Sequence, residues 1–175
     1  MKEHPLLFSG PMVRAILDGH KTETRRIGNK YRTWKKGDRI WVKETYRLFD
    51  SFNDCGHYEN CDCYKDNGKP MYREDDPDPS PEKWKPSIFM KRCYSRITLE
   101  MIEDAKEEKL QDITEEGAIR EGSQLSCVYL PKSCQQGTWT ERQQFSKIWD
   151  SINGKENPWL SNPLVWVIKF RRIEE

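Results

Sequence analysis

The apolar positions near the start of the chain predict a strand followed by a helix. Residues 6–8 form a short apolar run of the kind found in buried strands. After this run, Pro11 stands at a favoured first-turn position, and apolar residues recur at the spacing of one helix face. These apolar residues are Met12, Val13, Ile16 and Leu17. We expect Gly19 to end the helix in the left-handed conformation, and residues 20–26 to follow as an exposed turn.

Later segments have the composition of strands. Residues 36–38 are a turn signal, and residues 39–46 after them are rich in β-branched and aromatic side chains. Residues 87–90 restore apolar character after a polar stretch, and residues 94–102 predict a further strand. The apolar run over residues 164–170 predicts the last strand.

Two helices are predicted in the second half of the chain. Asp112 or Thr114 caps a short helix over residues 115–121. Thr138 and Glu141 have the spacing of a capping box, which predicts the start of a longer helix. The apolar face of this helix and the pair that ends it are Phe145, Ile148, Trp149 and Ile152, then Asn153 and Gly154.

Two irregular segments, at about residues 50–86 and 122–138, interrupt this pattern. The first contains five prolines, and a loop of this length is usually functional or disordered. Strands and short helices in non-alternating order favour an α+β fold, built as a small, mostly antiparallel β-barrel or curved sheet with flanking short helices and a long loop insertion. We predict that residues 1–175 form a single domain.

Composition indicates a small apolar core and no membrane span. Hydrophobic residues make up 35% of the chain and charged residues 34%. No apolar run approaches the roughly 18 residues that a membrane span needs, and the first residues lack the pattern of a signal peptide. We therefore expect a soluble, cytoplasmic protein without a membrane partner. Its six cysteines are then thiols or metal ligands rather than disulfides.

A net charge of +1 conceals one strongly basic segment. Residues 20–47 contain ten Lys or Arg and three acids, whereas residues 51–82 and 100–121 each contain nine acids and three bases. The basic segment includes Trp41 and Tyr46, and aromatic rings beside cations suit base stacking and phosphate contact. They equally suit a small β core within a solvated surface, so these interpretations stay open.

The groups most able to do chemistry are concentrated in residues 20–26. Arg25 and Arg26 are forked donors for phosphate. Lys21 lies among other cations, which lower the proton affinity of its amine, so it can act as a base toward a nearby threonine hydroxyl. The alternative is a polar loop at the end of a helix.

Residues 16–26 resemble the signature turn of the ASCH domain, a PUA-like β-barrel superfamily linked to RNA. The residues that carry the signature are Gly19, Lys21, Thr22 and Thr24. Residues 37–42 also fit the second element of that domain. Over most of residues 5–172, outside the two irregular segments, the chain looks closer still to the ASCH proteins common in tailed phages and prophages. This resemblance implies the cytoplasm of a host cell as the location.

The resemblance also implies an activity. Some small bacterial ASCH proteins are amidohydrolases that remove the acyl group from N4-acetylcytidine and related nucleosides. By this likeness Lys21 deprotonates Thr24, Thr24 attacks the amide carbonyl, and Glu121 orients the amine or passes a proton to the leaving nitrogen. No cofactor is required for this catalysis. Other ASCH proteins are ribonucleases or RNA binders, so two alternatives remain: a ribonuclease that uses the same cleft, and a non-enzymatic phage protein that binds nucleic acid or a host protein.

Six further residues complete the predicted site for RNA or a modified nucleoside. They are Thr22, Arg25, Arg26, Trp41, Glu44 and Tyr46. Glu44, at the end of a predicted barrel strand, is a rival carboxylate to Glu121. Its alternative roles are to pair with Lys43 or Arg47, or to cap the basic surface.

A cluster of metal-ligating residue types lies in the first irregular segment. It consists of Cys55, His57, Cys61 and Cys63. Four N/S ligands suit tetrahedral zinc, and a structural zinc would stabilise a loop that lacks apolar residues. One residue separates Cys61 from Cys63, where two or more are usual, so another cysteine is an alternative fourth ligand. The candidates are Cys93, Cys127 and Cys134. The other interpretation is a disordered loop with reactive thiols.

Overall fold

The computed structural model describes residues 1–50, 65–76, 84–123 and 139–173. Within these residues the chain forms eight β-strands and three α-helices, joined by loops and short 3-10 turns. In chain order the elements are β1 (Glu3–Leu7), α1 (Gly10–Leu17), β2 (Glu23–Arg26), β3 (Arg39–Lys43), β4 (Tyr46–Leu48), β5 (Pro70–Tyr72), β6 (Thr98–Met101), β7 (Lys106–Lys109), α2 (Glu115–Arg120), α3 (Glu141–Asn153) and β8 (Leu164–Ile173).

Most of the strands form one curled, half-barrel sheet. Its order is β1-β3-β6-β8-β2, with β7 also paired to β8, whereas β4 and β5 form a separate pair. Strand β1 runs parallel to β3, and the other pairings among the described strands are antiparallel. The predicted α+β class and the mostly antiparallel, barrel-like sheet are therefore confirmed.

Strand β8 connects the two halves of the molecule. Its ten residues pair with β6 near the carboxyl end, with β2 in the middle and with β7 near the amino end. Because successive side chains of a strand point to opposite faces, Val165 and Val167 lie on one face, and Ile168 and Phe170 lie on the other. Both pairs are buried, so β8 contributes to an apolar core on each side.

The two apolar cores differ in composition. The first packs α1 against the sheet and includes Phe8, Val13, Ile16, Ile40, Leu99, Ile168 and Phe170. The second holds α2 and α3 together and includes Leu110, Ile113, Ala118, Phe145, Trp149 and Val165. Burial of these side chains is the main stabilising term for a chain with so few apolar residues. No helix in the described part of the chain has the length and apolarity to cross a bilayer.

Local signals predicted the helix ends well. Gly19 follows α1 with a φ of 77°, as expected of a left-handed cap. The Thr114 side chain caps α2 by accepting a hydrogen bond from the Gly117 amide, and α3 ends at Asn153. The predicted capping box is wrong by two residues at both positions, because Thr140 and Gln143 form it instead of Thr138 and Glu141.

Strand boundaries were predicted less well. The predicted strand over residues 39–46 breaks at Glu44 and Thr45 into β3 and β4. Strand β5 lies inside the predicted insertion over residues 50–86, and β7 lies in an acidic stretch. Each of these strands depends on hydrogen bonds to a distant partner, and the local sequence does not reveal that partner.

Candidate functional site

Strand β2 carries the signature residues into the interior. It pairs with β8, and Thr24 lies opposite Ile168. Lys21 and Thr24 are each 3% exposed, and Arg25 is 7% exposed. The prediction of an exposed turn over residues 20–26 is therefore wrong for most of that segment, because pairing with a distant strand buries it.

The Lys21 amine makes three hydrogen bonds inside the protein. Its Nζ donates to the backbone carbonyls of Glu23 and Glu121, each at 2.8 Å, and to the Glu121 carboxylate oxygen Oε2 at 2.5 Å. An ammonium group has three N–H donors, so all of them are used. The predicted meeting of residues 21 and 121, which are a hundred positions apart, is thus observed as a direct contact.

Two opposing effects act on the pKa of Lys21. Burial is the larger effect and lowers this pKa below its usual value, because the interior disfavours the charged ammonium. The Glu121 carboxylate opposes the shift by charge attraction and by its hydrogen bond, whereas Arg26 and Arg25 reinforce it. The amine of Lys21 therefore gives up its proton more easily than an exposed lysine does.

The end of helix α2 positions Glu121 beside Lys21. Glu121 follows the last residue of α2, and Gly122 then turns the chain with a φ of 86°. A Cβ atom at Gly122 would lie 3.3 Å from the Cβ of Ala15, so the backbone passes close to α1. The backbone amide of Thr22 also donates to the Arg120 carbonyl at 2.9 Å. This hydrogen bond links the residue just before β2 to the last residue of α2.

Carboxylates neutralise the buried cations around this pair. Arg25 donates from Nη1 to Glu23 and to Glu121, at 3.4 Å each, and from Nε to Glu108 at 2.7 Å. Glu23 in turn accepts a hydrogen bond of 2.6 Å from Nε of Arg120. Buried charges are tolerated when they are paired and hydrogen-bonded in this way.

The Thr24 hydroxyl lies at the same site but is not bonded to Lys21. Thr24, Lys21 and Glu121 line one pocket. No residue in the described ranges forms a hydrogen bond with the Thr24 hydroxyl, and the three donors of Lys21 are directed elsewhere. The lysine and the carboxylate thus meet directly, and the threonine lines the same pocket.

The pocket lies between the two apolar cores. It has a cavity volume of about 50 Å³, which is room for a few water molecules. Besides the charged residues, its walls are mainly the apolar face of α3 and residues from the start of the chain. These wall residues are Phe8, Met12, Phe145, Ile148, Trp149, Ile152 and Asn153. Pockets that bind small molecules are usually several times larger, so a ligand the size of a nucleoside base would enter only if the walls moved apart.

Arg26 forms part of the same pocket wall. Its Nη2 donates to the backbone carbonyl of Leu7 at 2.7 Å, and its guanidinium carbon lies 5.2 Å from the centre of the Phe8 ring. Burial lowers the pKa of Arg26 below its usual value. Its Nε is buried and has no hydrogen-bond partner among the described residues.

Four of the predicted binding residues do not line this pocket: Thr22, Trp41, Glu44 and Tyr46. Glu44 is buried and accepts two hydrogen bonds of 3.0 Å from Arg96. Burial raises the pKa of Glu44, although Arg96 opposes the shift. Tyr46 is also buried, and its hydroxyl donates to the Phe89 carbonyl. Glu44 and Tyr46 therefore have structural contacts of their own, away from Lys21.

The predicted zinc ligands Cys55, His57, Cys61 and Cys63 lie outside the described residues, as do Cys127 and Cys134. Cys93 is described and is an exposed free thiol. Within the described ranges, no group of His, Cys, Asp and Glu side chains is arranged to hold a metal ion. Structural zinc on the cysteine cluster stays a prediction.

Sequence reasoning missed the carboxylates and the apolar walls that enclose the site. Glu23 lies within the signature turn, and Glu108 lies in an acidic stretch. The sequence analysis assigned neither of them a role beside Arg25, although both pair with it. The spacing of Phe145, Ile148 and Trp149 predicted an apolar helix face, but it could not indicate which charged residues that face would cover.

Comparison of the chain with protein-family models, with curated proteins and with solved structures finds no significant match. Membership of the ASCH family is therefore a hypothesis that depends on the resemblance of residues 16–26 and of the segments after them.

Proposed function

We propose that this chain is an ASCH-type, PUA-like domain that hydrolyses the amide of an N4-acylated cytidine. The observation that carries the proposal is the buried contact of 2.5 Å between Lys21 Nζ and the Glu121 carboxylate, in a pocket that Thr24 also lines. An amine with a lowered pKa, a carboxylate and a hydroxyl are the groups that amide hydrolysis by a covalent route requires.

Two of the three described cations that line the pocket, Lys21 and Arg25, are already neutralised, which favours an uncharged substrate over a phosphodiester. Lys21 and Arg25 are already paired with Glu23, Glu108 and Glu121. A phosphate group would have to displace these carboxylates or lie beside them, and like charges at close range repel each other. The apolar walls from α3 instead suit a pyrimidine ring with a small acyl group, so an amidohydrolase fits this pocket better than a ribonuclease does.

In the first half of the reaction, the proton shared by Lys21 and Glu121 moves to the carboxylate and leaves a neutral amine. Lys21 then takes the proton of the Thr24 hydroxyl, and the threonine oxygen forms a bond to the acyl carbon. The bond between that carbon and N4 breaks, and Glu121 gives its proton to N4. Cytidine leaves, and the acyl group remains on Thr24 as an ester.

In the second half, the same two residues activate water. The proton that Lys21 took from Thr24 first passes to the Glu121 carboxylate, which leaves the amine neutral again. Lys21 then takes a proton from water, and the water oxygen attacks the ester carbon. The bond to the Thr24 oxygen breaks, and Glu121 returns a proton to that oxygen. The products are the carboxylic acid and the free threonine, so no cofactor is consumed and the enzyme returns to its starting state.

The first prediction is that the purified chain releases cytidine and acetate from N4-acetylcytidine. Thr24→Ala, Lys21→Ala and Glu121→Gln should each lower kcat/KM by at least about a hundredfold, because each removes a group that transfers a proton or attacks the carbonyl. Chromatography of the nucleoside products measures the rate. Thr98→Ala is the matched control, because Thr98 is also a buried strand threonine, 4% exposed, and does not line the pocket.

The alternatives give different products in the same assay. Cleavage of RNA without deacylation would indicate a ribonuclease. A chain that does neither but retards labelled RNA, with an affinity that falls steeply as salt increases, would be a nucleic-acid binder. Deacylation that persists in Thr24→Ala would contradict the covalent route.

A further inference from the structure

Arg26 has a hydrogen-bond donor that the folded chain does not use. Among the buried side-chain nitrogen and oxygen atoms of the described residues, Arg26 Nε is the one without a partner. Leaving a buried donor unpaired is unfavourable, and native proteins rarely do so without a functional reason. The neighbouring Nη2 of the same guanidinium does have a partner, the Leu7 carbonyl at 2.7 Å.

Arg26, which carries this donor, lies on the same strand as the proposed nucleophile Thr24. Thr24 and Arg26 are two residues apart on β2, so their side chains leave the strand on the same face. Both residues line the pocket. The Leu7 carbonyl and the Phe8 ring hold the guanidinium against the pocket wall. The residue that carries the unused donor therefore lies in the wall that Thr24 shares.

The other cationic groups of the pocket are not free to take this role. All three N–H donors of the Lys21 amine are hydrogen-bonded to oxygen atoms of Glu23 and Glu121. Arg25 is bonded to three carboxylates, those of Glu23, Glu108 and Glu121. A substrate carbonyl oxygen that enters the pocket would have to displace these partners, whereas the Nε–H of Arg26 has no partner to lose.

We infer that the Nε–H of Arg26 donates a hydrogen bond to the acyl carbonyl oxygen of the bound substrate and to the oxyanion that forms when Thr24 attacks. This inference rests on the proposed amide hydrolysis. It assigns Arg26 to electrostatic stabilisation of the developing negative charge rather than to phosphate contact. It also restricts the ligand to compounds with a carbonyl acceptor next to the scissile bond.

Binding must open a path to this donor. Arg26 Nε is buried, and the cavity is small. Met12 also lines the pocket, and its unbranched side chain has three rotatable bonds, so it can move aside at little cost. Movement of Met12 would widen the pocket that Arg26 lines.

The test uses the ¹⁵N-labelled Thr24→Ala variant of the 175-residue chain, in which substrate should bind without being turned over. The Nε–H resonance of Arg26 is assigned by its loss in the double variant with Arg26→Lys. N4-acetylcytidine should move this resonance downfield and slow its exchange with water. Cytidine, which has the same ring and no acyl group, should leave the resonance in place.

A kinetic comparison provides the second readout. Arg26→Lys keeps the positive charge but lacks the Nε–H, and it should lower kcat by about 10²–10³-fold with a smaller effect on KM. In the wild type, N4-thioacetylcytidine should react more slowly than N4-acetylcytidine, because sulfur accepts hydrogen bonds weakly. This difference between oxygen and sulfur substrates should shrink in Arg26→Lys, which a purely structural role would not produce.

The outcomes separate this inference from the proposed function. Thr24-dependent hydrolysis with an unmoved Arg26 resonance, or an unchanged rate in a folded Arg26→Lys variant, would overturn the role of Arg26 and leave the amidohydrolase intact. If the wild type neither hydrolyses nor binds N4-acetylcytidine, both proposals are overturned together.

Discussion

Lys21 is a buried cation whose charge depends on its neighbours. It is 3% exposed and makes three hydrogen bonds, one of them to the Glu121 carboxylate. Burial disfavours its ammonium form more than the carboxylate favours it, so the folded pKa lies below 10.5. The lowered pKa makes Lys21 suitable as a base. It should also make the free energy of unfolding depend on pH, because the folded and unfolded chains bind protons differently at this residue.

We predict that part of the stability gained as the pH rises toward 10.5 depends on Lys21. Between the lowered folded pKa and the usual value of 10.5, the unfolded chain holds more protons, so the free energy of unfolding increases with pH. Lys21→Met should remove up to about 1.4 kcal/mol per pH unit from this increase. Urea denaturation of both proteins across this pH range measures it, and equal slopes would contradict the prediction.

Helices α2 and α3 hold the site, and specific residues fix where each helix begins or ends. Helix α2 begins at the Thr114 cap and delivers Glu121 just after its last turn, before the left-handed Gly122. Helix α3 begins at the capping box of Thr140 and Gln143, and its apolar face covers the pocket. The position of the carboxylate thus depends on how α2 ends against α1.

We predict that Gly122→Ala weakens both the fold and the site. Its φ of 86° costs an alanine about 1–2 kcal/mol, and the new Cβ would lie 3.3 Å from the Cβ of Ala15. Gly37→Ala is the matched control, because Gly37 has a similar φ of 83° and nothing within 4 Å of an added Cβ. Only Gly122→Ala should also lower the rate of N4-acetylcytidine hydrolysis. Equal effects on stability and activity would show that the contact with Ala15 is unimportant.

Arg96 links residues 70–75 to the main sheet, although these residues are distant in the sequence. Arg96 binds the buried Glu44 carboxylate through two hydrogen bonds and also pairs with Asp75. Its guanidinium carbon lies 4.0 Å from the centre of the Tyr72 ring on β5. Residues 70–75 are thereby tied to the end of β3.

We predict that breaking this link on one side is worse than removing it entirely. Arg96→Met leaves the Glu44 charge buried without its partner and should lower the free energy of unfolding by about 3 kcal/mol. The double variant with Glu44→Gln should recover part of this loss, since no buried charge remains. Arg171→Met, which removes the more exposed pair with Glu100, should cost less than about 1 kcal/mol. Additive losses in the double variant, measured by urea denaturation, would contradict the prediction.

The sequence determined what depends on neighbouring residues. Helical spacing, a glycine after the helix and a threonine before the next one predicted α1, α2 and most of α3, and short apolar runs predicted β1 and β8. The resemblance to the ASCH family also singled out Lys21 and Thr24 in the signature turn, and Glu121 after α2, before any contact between them was known. Capping, periodicity and turn preferences operate over a few residues, so a single sequence contains them.

Only the tertiary structure decided what depends on distant partners. Strands β5 and β7 form because β4 and β8 supply their hydrogen bonds, and residues 20–26 are buried because β2 pairs with β8. Arg25 pairs with Glu108, and Arg96 pairs with Glu44, whereas Arg26 keeps one buried nitrogen without a partner among the described residues. Nothing in the local sequence distinguishes these three arginines. The free energy of a charge inside a protein depends on which groups surround it in space, and the fold alone determines those groups.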